Sequence, residues 1–231
     1  MSTKGSKCVV LLGVCLALSL VSGCMGDPIY RLWHRKQWMD DENFGTTMYT
    51  RLEELSSIRE RAEDMSQAEQ AQVCHDLITA YRNDPSPVYR GQVVRTLSLL
   101  TNPVAAQGLQ LALQDEDPDV RIEVCKAWSR RGGPDAVPTL SRVVSTDKSL
   151  DVRVAATREL GNFKDPAVVS ALAVALDDAD PALQYRAVQS LKSVTDKDFG
   201  NNVPAWRQYV QEGTVPPGAE RSLAERFRDL F

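Results

Sequence analysis

The sequence predicts an all-α fold, a right-handed α-solenoid of short helix pairs, on three observations. Helix-start signals recur at a nearly constant interval, apolar residues keep one helical phase within each interval, and no run alternates as a strand would. A pair of short helices cannot bury its apolar faces alone. Successive pairs are therefore expected to stack around one continuous core.

The first repeated signal opens each unit. Cap residues followed by a first helical residue stand 31, 32 and 31 residues apart, at Ser86-Pro87, Asp117-Pro118, Ser149-Leu150 and Asp180-Pro181. Four residues after each cap come Arg90, Arg121, Arg153 and Gln184. Apolar residues follow in constant phase: Tyr89, Val93 and Leu97; Val120, Val124 and Trp128; Val152, Ala156 and Leu160; Leu183, Ala187 and Leu191. Each unit therefore begins with one amphipathic helix.

A second signal predicts a second helix in each unit. It recurs 31 and 32 residues apart, at Asn102-Pro103, Gly133-Pro134 and Asp165-Pro166. The predicted core residues of these helices are Leu109 and Leu113, Leu140 and Val144, Leu172 and Leu176. The fourth unit has a longer turn, Thr195 to Asn202, before Pro204, Trp206 and Val210.

These units resemble HEAT-like repeats, including the short variety found in phycobilin lyases. The resemblance is carried by Asp117-Pro118-Asp119-Val120-Arg121 and by Asp151-Val152-Arg153 through Glu159-Leu160-Gly161, and it covers residues 84–213 as four repeats. It implies that the recurring Asp-x-Arg motif forms a structural ladder of ion pairs between neighbouring units. Gly91, Trp128 and Gln184 depart from the repeat pattern.

Two segments flank the predicted array. Residues 46–83 are expected to form two helices that cap it, one from about 47 to 64 and one opened by Ser66 and Glu69 as a capping box. Residues 214–231 contain a Pro/Gly linker and an amphipathic helix with Leu223, Phe227, Leu230 and Phe231 on one face. That last helix either covers the open end of the solenoid or docks into a partner.

The N-terminus has the three-part order of an export signal. Lys4 and Lys7 precede an apolar run from Cys8 to Val21, which at 14 residues is shorter than the roughly 20 that span a bilayer. The sequence Val21-Ser22-Gly23-Cys24 resembles the lipobox of bacterial lipoproteins. The resemblance implies removal of residues 1–23 and acylation of Cys24 with chains such as palmitate. A plain secretory signal is the alternative.

Residues 24–45 are then the lipidated N-terminus and tether, which holds the protein to a membrane through the acyl chains. Because Met25, and not an aspartate, follows the cysteine, we expect the outer membrane, with the body facing the periplasm. The aromatic residues Tyr30, Trp33 and Trp38 either lie at the membrane interface or pack on the first repeats.

Composition argues against several functions. The charge is mixed and net acidic at −4, which gives no support for nucleic-acid binding. His34 and His75 are the two histidines, too few for a histidine metal site or triad, and Asp198-Phe199-Gly200 is more typical of a turn than of a kinase. Cys74 and Cys125 are expected to pack as small hydrophobic residues, with a disulfide between them as the alternative. We expect no catalytic residue, cofactor or metal.

The predicted function is a protein interaction scaffold in the cell envelope that binds an envelope protein. A structural envelope-spacing lipoprotein and a phycobilin-lyase-like enzyme are the alternatives. If the second helices line the inner curve, one exposed row contains Gln110, Ser141, Ala173 and Arg207, and the next turn adds Gln114, Ser145, Asp177 and Gln211. The candidate partner-binding residues are Arg207, Trp206, Gln110, Gln114, Asp177 and Gln211, and of these Arg207, beside Trp206, fits the description of an anchor.

Overall fold

The computed structural model describes residues 46–214, which contain ten helices and no strand. The helices are α1 Met48–Arg61, α2 Gln67–Asn83, α3 Pro87–Leu97, α4 Pro103–Ala112, α5 Pro118–Arg131, α6 Ala136–Thr146, α7 Leu150–Leu160, α8 Pro166–Leu176, α9 Pro181–Thr195 and α10 Val203–Glu212. The predicted all-α solenoid of helix pairs is confirmed. The export signal, Cys24, the tether and the C-terminal amphipathic helix lie outside the described residues.

The chain divides into two compact units, Met1–Arg51 and Leu52–Phe231. The described part of the first unit is the start of α1. The rest of α1 and the helices α2 to α10 belong to the second unit. None of its described helices is long and apolar enough to cross a membrane.

Local signals set most helix boundaries. At α2 the Ser66 hydroxyl accepts the Glu69 amide at 3.3 Å, and the Glu69 carboxylate accepts the Ser66 amide at 2.8 Å, so the predicted capping box is present. The predicted start of α6 at Pro134 is wrong by two residues. Gly132 and Gly133 adopt φ angles of +63° and +79°, which only glycine adopts without strain, and the helix begins at Ala136.

The first helices of the repeats, α3, α5, α7 and α9, each pack on the next. All their predicted core residues are buried, and so are those of the second helices, with Leu172 and Leu176 fully inaccessible. Along the described second helices, α2 packs on α4, α6 on α8 and α8 on α10, whereas no Cα atom of α4 lies within 8 Å of a Cα atom of α6. The second helices α4 and α6 are therefore spaced more widely than the other described neighbours in this row.

The predicted arginines form a ladder of ion pairs, but the pairs lie within units and not between them, and the acids do not come from the Asp-x-Arg motif. Arg121 bonds Asp147 at 2.8 Å. The equivalent pairs are Arg90 with Asp115 at 2.8 Å and Arg153 with Asp178 at 3.3 Å. Each acid lies in the loop that leads from one unit to the next, so each pair ties a first helix to the loop at the far end of its own unit.

Gln184 ends the ladder. Its side-chain amide donates to the carbonyl oxygen of Asp178 at 2.7 Å, as Arg153 does to the carbonyl of Asp147 at 3.2 Å. The unit of Gln184 is the last of the repeats that the structure describes. Its neutral side chain keeps the backbone hydrogen bond but has no charge to pair with an acid.

Two smaller predictions are confirmed. Cys74 and Cys125 are both buried and free, so they do not form a disulfide with each other. Asp198-Phe199-Gly200 is a turn in which the Asp198 carboxylate accepts the Gly200 amide at 2.9 Å and the Phe199 ring is buried.

Candidate functional site

An open groove lies along the carboxyl ends of α2, α4 and α6. It consists of two adjoining cavities of about 520 and 320 Å³ that share Gln114 and Asp115. The larger cavity lies between the ends of α2 and α4, and the smaller one lies between the ends of α4 and α6. We call the two together the second-helix groove, and its lining includes Tyr81, Arg82, Leu111, Gln114, Asp115, Arg142, Thr146 and Lys148.

Polar side chains span the gap between α4 and α6. The Gln110 amide donates to the Thr139 hydroxyl at 3.1 Å, and Arg142 donates to the Gln110 side-chain oxygen at 3.1 Å. In contrast, α8 is rich in alanine along Pro166–Leu176, and small side chains let α6 and α10 pack directly against it. These hydrogen bonds link α4 to α6 across their wider spacing.

Asp115 forms the floor of the larger cavity. Arg90 donates to its two carboxylate oxygens from Nε and Nη2, both at 2.8 Å, and the Tyr81 hydroxyl donates to one of them. Burial acts to raise the pKa of Asp115, but the hydrogen bonds from Arg90, Tyr81 and the Asp117 amide together hold it below its ordinary value. This carboxylate is ionised, and both of its oxygens accept hydrogen bonds.

Asp147 has the same role in the smaller cavity. Arg121 donates to its two oxygens at 2.8 and 2.9 Å. Hydrogen bonding to Asp147 raises the pKa of Arg121, so this buried guanidinium stays charged. The floor of the second-helix groove is thus a pair of closed ion pairs, and its edge carries the exposed cations Arg82, Arg142 and Lys148.

Most of the predicted row lies on the surface. Gln110, Gln114, Ser145, Asp177 and Gln211 are exposed, and Ser141, Ala173 and Arg207 are partly exposed. Of the candidate residues, Gln114 is the one that lines both cavities. Gln110 instead links the two helices, whereas Arg207, Asp177 and Gln211 do not line either cavity.

Trp206 does not lie on the surface, contrary to its prediction as a partner-binding residue. Its side chain is fully buried, its ring lies 4.6 Å from that of Phe199 and 6.1 Å from that of Tyr209, and its indole N–H donates to the Gly200 carbonyl at 3.1 Å. Trp206 occupies the position that Leu109 has in the first repeat. Its large ring fills the space beneath the longer turn.

Arg207 is tied to its own fold. Its Nε lies 2.9 Å from an oxygen of Asp177, and one Nη donates to the Leu176 carbonyl at the end of α8. Arg207 thereby joins α10 to the preceding second helix. The role of Arg207 as a partner anchor stays a prediction.

Sequence reasoning missed Arg82, Arg142 and Lys148, which line the groove, because no pattern in the sequence singles them out. Their importance depends on which neighbouring charges are already paired.

The described residues contain no group of three or more His, Cys, Asp or Glu side chains placed to hold a metal ion.

Comparison with known proteins agrees with this architecture. The family model for HEAT repeats matches residues 75–153 and 140–202, which together exceed half of the chain. The fold and the match define a repeat protein of stacked helix pairs. The chain belongs to the HEAT repeat family.

Two solved structures are similar at low identity. Human deoxyhypusine hydroxylase in complex with glycerol is 21% identical over 54% of this chain, with a TM-score of 0.48, and the chain spans 44% of that protein's length. The CpcE and CpcF complex of phycocyanin lyase from Nostoc sp. PCC7120 is 19% identical over 69% of this chain and 96% of its own, with a TM-score of 0.44. A comparison with curated proteins finds no match.

Proposed function

We propose that the protein is a lipid-anchored HEAT-repeat scaffold of the cell envelope whose second-helix groove binds a segment of a partner envelope protein. The observation that supports this proposal is the opening between α4 and α6. It is a concave, solvent-accessible surface between elements that are packed elsewhere in the row, and binding sites in proteins are usually concave.

The groove suits an extended polypeptide. Its two cavities, of about 520 and 320 Å³, adjoin at Gln114 and together offer room for several residues. The Gln114 side-chain amide makes no hydrogen bond within residues 46–214, so its carbonyl and NH₂ groups are available. A glutamine amide can accept from and donate to the main chain of a bound segment.

The floor of the groove is held in place before binding. Arg90 and Arg121 are buried, and each also donates to carbonyls of the preceding inter-unit loop, at 3.1 to 3.2 Å for Arg90 and 2.8 to 3.2 Å for Arg121. These bonds restrict the loops that end α2, α4 and α6. A preorganised surface loses less conformational freedom when a partner binds.

The anchor part of the proposal is supported by the sequence around Cys24. Several acyl chains on one residue would hold the protein stably at a membrane, since each buried methylene contributes about 0.8 kcal/mol. A tether of about 20 residues would then let the repeats reach proteins near that surface.

Photo-crosslinking in living cells tests the groove. A photoreactive phenylalanine derivative placed at Gln114 is expected to capture a discrete partner. The same residue at Tyr185, which is 51% exposed on the first helix α9, serves as the control and is expected to capture none. Crosslinks from position 185 with none from 114, in folded protein, would overturn the groove assignment.

Radiolabelled fatty acid tests the anchor separately. Wild-type protein is expected to take up the label and sediment with membranes, and Cys24→Ala is expected to do neither. Equal labelling of the two proteins would refute acylation at Cys24 without affecting the groove.

A further inference from the structure

We infer that the segment bound by the second-helix groove is acidic. This inference rests on the proposed function and specifies the partner's chemistry. It rests on which charged side chains around the groove are already paired and which are not.

The acids on the floor are unavailable to a partner. Asp115 is held by Arg90 and Asp147 by Arg121, each through two hydrogen bonds of 2.8 to 2.9 Å. The side chains of Asp115 and Asp147 are 3% and 10% exposed, so a ligand meets little of their charge. These four residues contribute no net charge to the groove.

The cations at the edge are available. Arg82, Arg142 and Lys148 are exposed and form no ion pair within residues 46–214, and the one hydrogen bond of Arg142 there goes to the neutral Gln110. Two further acids line the larger cavity. The Glu116 carboxyl lies 3.7 Å from Arg90 and is 88% exposed, and the Asp84 carboxylate accepts the Ser86 amide at 2.8 Å. The smaller cavity therefore has two unpaired cations, Arg142 and Lys148, and no unpaired acid in its lining, whereas the larger cavity has Arg82 against these two acids.

This local excess contrasts with the chain as a whole, whose formal net charge is −4. A cleft lined by one sign of charge concentrates its field and attracts the opposite sign, while like-charged segments are rejected. The basic smaller cavity on an acidic protein therefore favours an acidic segment. Carboxylates of one segment can meet Arg142 and Lys148 there.

Other anionic ligands fit the geometry less well. The head groups of a bilayer form a broad surface that does not enter a cavity between two helices. Nucleic acid requires a wide basic face, and the acidic balance of this chain opposes it. A narrow acidic peptide segment satisfies both the shape and the charge.

Peptide selection tests the inference directly. A library of random 12-residue peptides is selected on the detergent-solubilised, lipidated full-length protein at low salt. The recovered peptides are expected to be enriched in Asp and Glu. Fluorescence anisotropy should show affinity that falls as salt rises from about 50 to 500 mM, because exposed charge pairs are screened.

Charge reversal then identifies the responsible residues. Arg142→Glu with Lys148→Glu is expected to weaken binding of the selected peptide roughly tenfold or more, since each exposed pair contributes up to about fivefold. The matched control reverses Arg95 and Lys164, which are also exposed but lie outside the groove, and is expected to change affinity less than twofold. Circular dichroism melts confirm that both variants are folded.

The two proposals fail in different ways. The selected peptides could instead be neutral or basic, lose binding in Gln114→Trp, which blocks the groove, and bind the charge-reversal variant as well as the wild type. That result would overturn the acidic inference and leave the groove assignment intact. Displacement of the peptides by anionic phospholipid vesicles would assign the cations to lipid instead. A library in which no peptide responds to any groove substitution would contradict the proposed function itself.

Discussion

Arg121 forms a bidentate ion pair with the Asp147 carboxylate, in which Nε lies 2.8 Å from one oxygen and Nη2 lies 2.9 Å from the other. Its remaining Nη1 donates to the carbonyls of Asp115 and Glu116 at 2.8 and 3.2 Å. One side chain thereby fastens α5 to the loops before and after its unit. The planar guanidinium, with its fixed fork of donors, makes this arrangement possible, and a lysine could not reproduce it.

Removing Arg121 should therefore cost far more than removing a surface cation. Arg121→Ala leaves Asp147 buried and unpaired, and we expect a loss of about 3 to 5 kcal/mol in the free energy of unfolding. Lys164→Ala breaks an ion pair with Asp196 whose side chains are 65% and 87% exposed, and should cost under about 1 kcal/mol. Urea titrations at pH 7 measure both. Similar small losses for the two variants would mean that the ladder is not a stabilising element.

The repeat fold was predictable because it depends on local patterns. Caps, helical phase and a constant period all lie within one unit, and burial of Leu172 and Leu176 follows from them. The same phase already placed Trp206 in line with the core leucines. Its inclusion among the partner-binding residues gave weight to residue type over position, and the aromatic packing on Phe199 corrects it.

The ladder partners and the groove could not be predicted in this way. Arg121 and Asp147 are 26 residues apart, and their pairing depends on how a loop returns to the preceding helix. Asp119 is close in sequence, yet it lies two residues from Arg121, and such neighbours do not face each other on a helix. The gap between α4 and α6 likewise depends on side chains that meet only after folding.

Alkaline pH should destabilise the protein through groups that the fold keeps protonated. Burial raises the pKa of Cys74 to about 11 and that of Cys125 to about 12. Burial, and to a smaller degree the hydrogen bond to Asp115, also raises the pKa of Tyr81. The unfolded chain releases these protons near pH 8.5 to 10, so stability is complete below that range and falls as pH rises above it.

Urea titrations at pH 8 and pH 10.5 test whether the free energy of unfolding falls as the pH rises. The free energy of unfolding is expected to be lower at pH 10.5. Tyr81→Phe should reduce the difference between the two values, whereas Tyr185→Phe, at a position 51% exposed, should leave it unchanged. A wild-type protein that is more stable at pH 10.5 would contradict the assignment of buried, protonated groups.

Arg207 offers a test of whether its contacts are structural. Arg207→Glu removes the bond to the Leu176 carbonyl and places a carboxylate beside Asp177, so we expect a loss of about 1 to 2 kcal/mol. Gln211→Glu lies on the same exposed side of α10 and should cost about 0.5 kcal/mol or less. Thermal melts compare them. An unchanged midpoint for Arg207→Glu would return this residue to consideration as a free surface anchor.

Two helical glycines should respond to alanine in opposite directions. A Cβ atom at Gly91, within α3, would meet its nearest neighbour, the Cγ of Glu123, at 3.8 Å, which is an ordinary contact. A Cβ atom at Gly108, within α4, would lie 2.9 Å from side-chain atoms of both Ile78 and Leu97. Ile78 is partly exposed and can move, but Leu97 is 1% exposed and cannot.

Gly91→Ala should therefore stabilise the protein by about 0.5 to 1 kcal/mol, because alanine loses less backbone entropy in a helix. Gly108→Ala gains the same backbone-entropy contribution, but overpacking costs about 1 to 3 kcal/mol, so the net change should be destabilising. The same overpacking would push α4 away from α2 and distort the larger cavity, so this variant should also weaken peptide binding at the groove. Urea titrations of both variants measure the stability difference. Equal stabilisation would show that α4 is free to shift, and the second-helix groove would then lack a fixed wall.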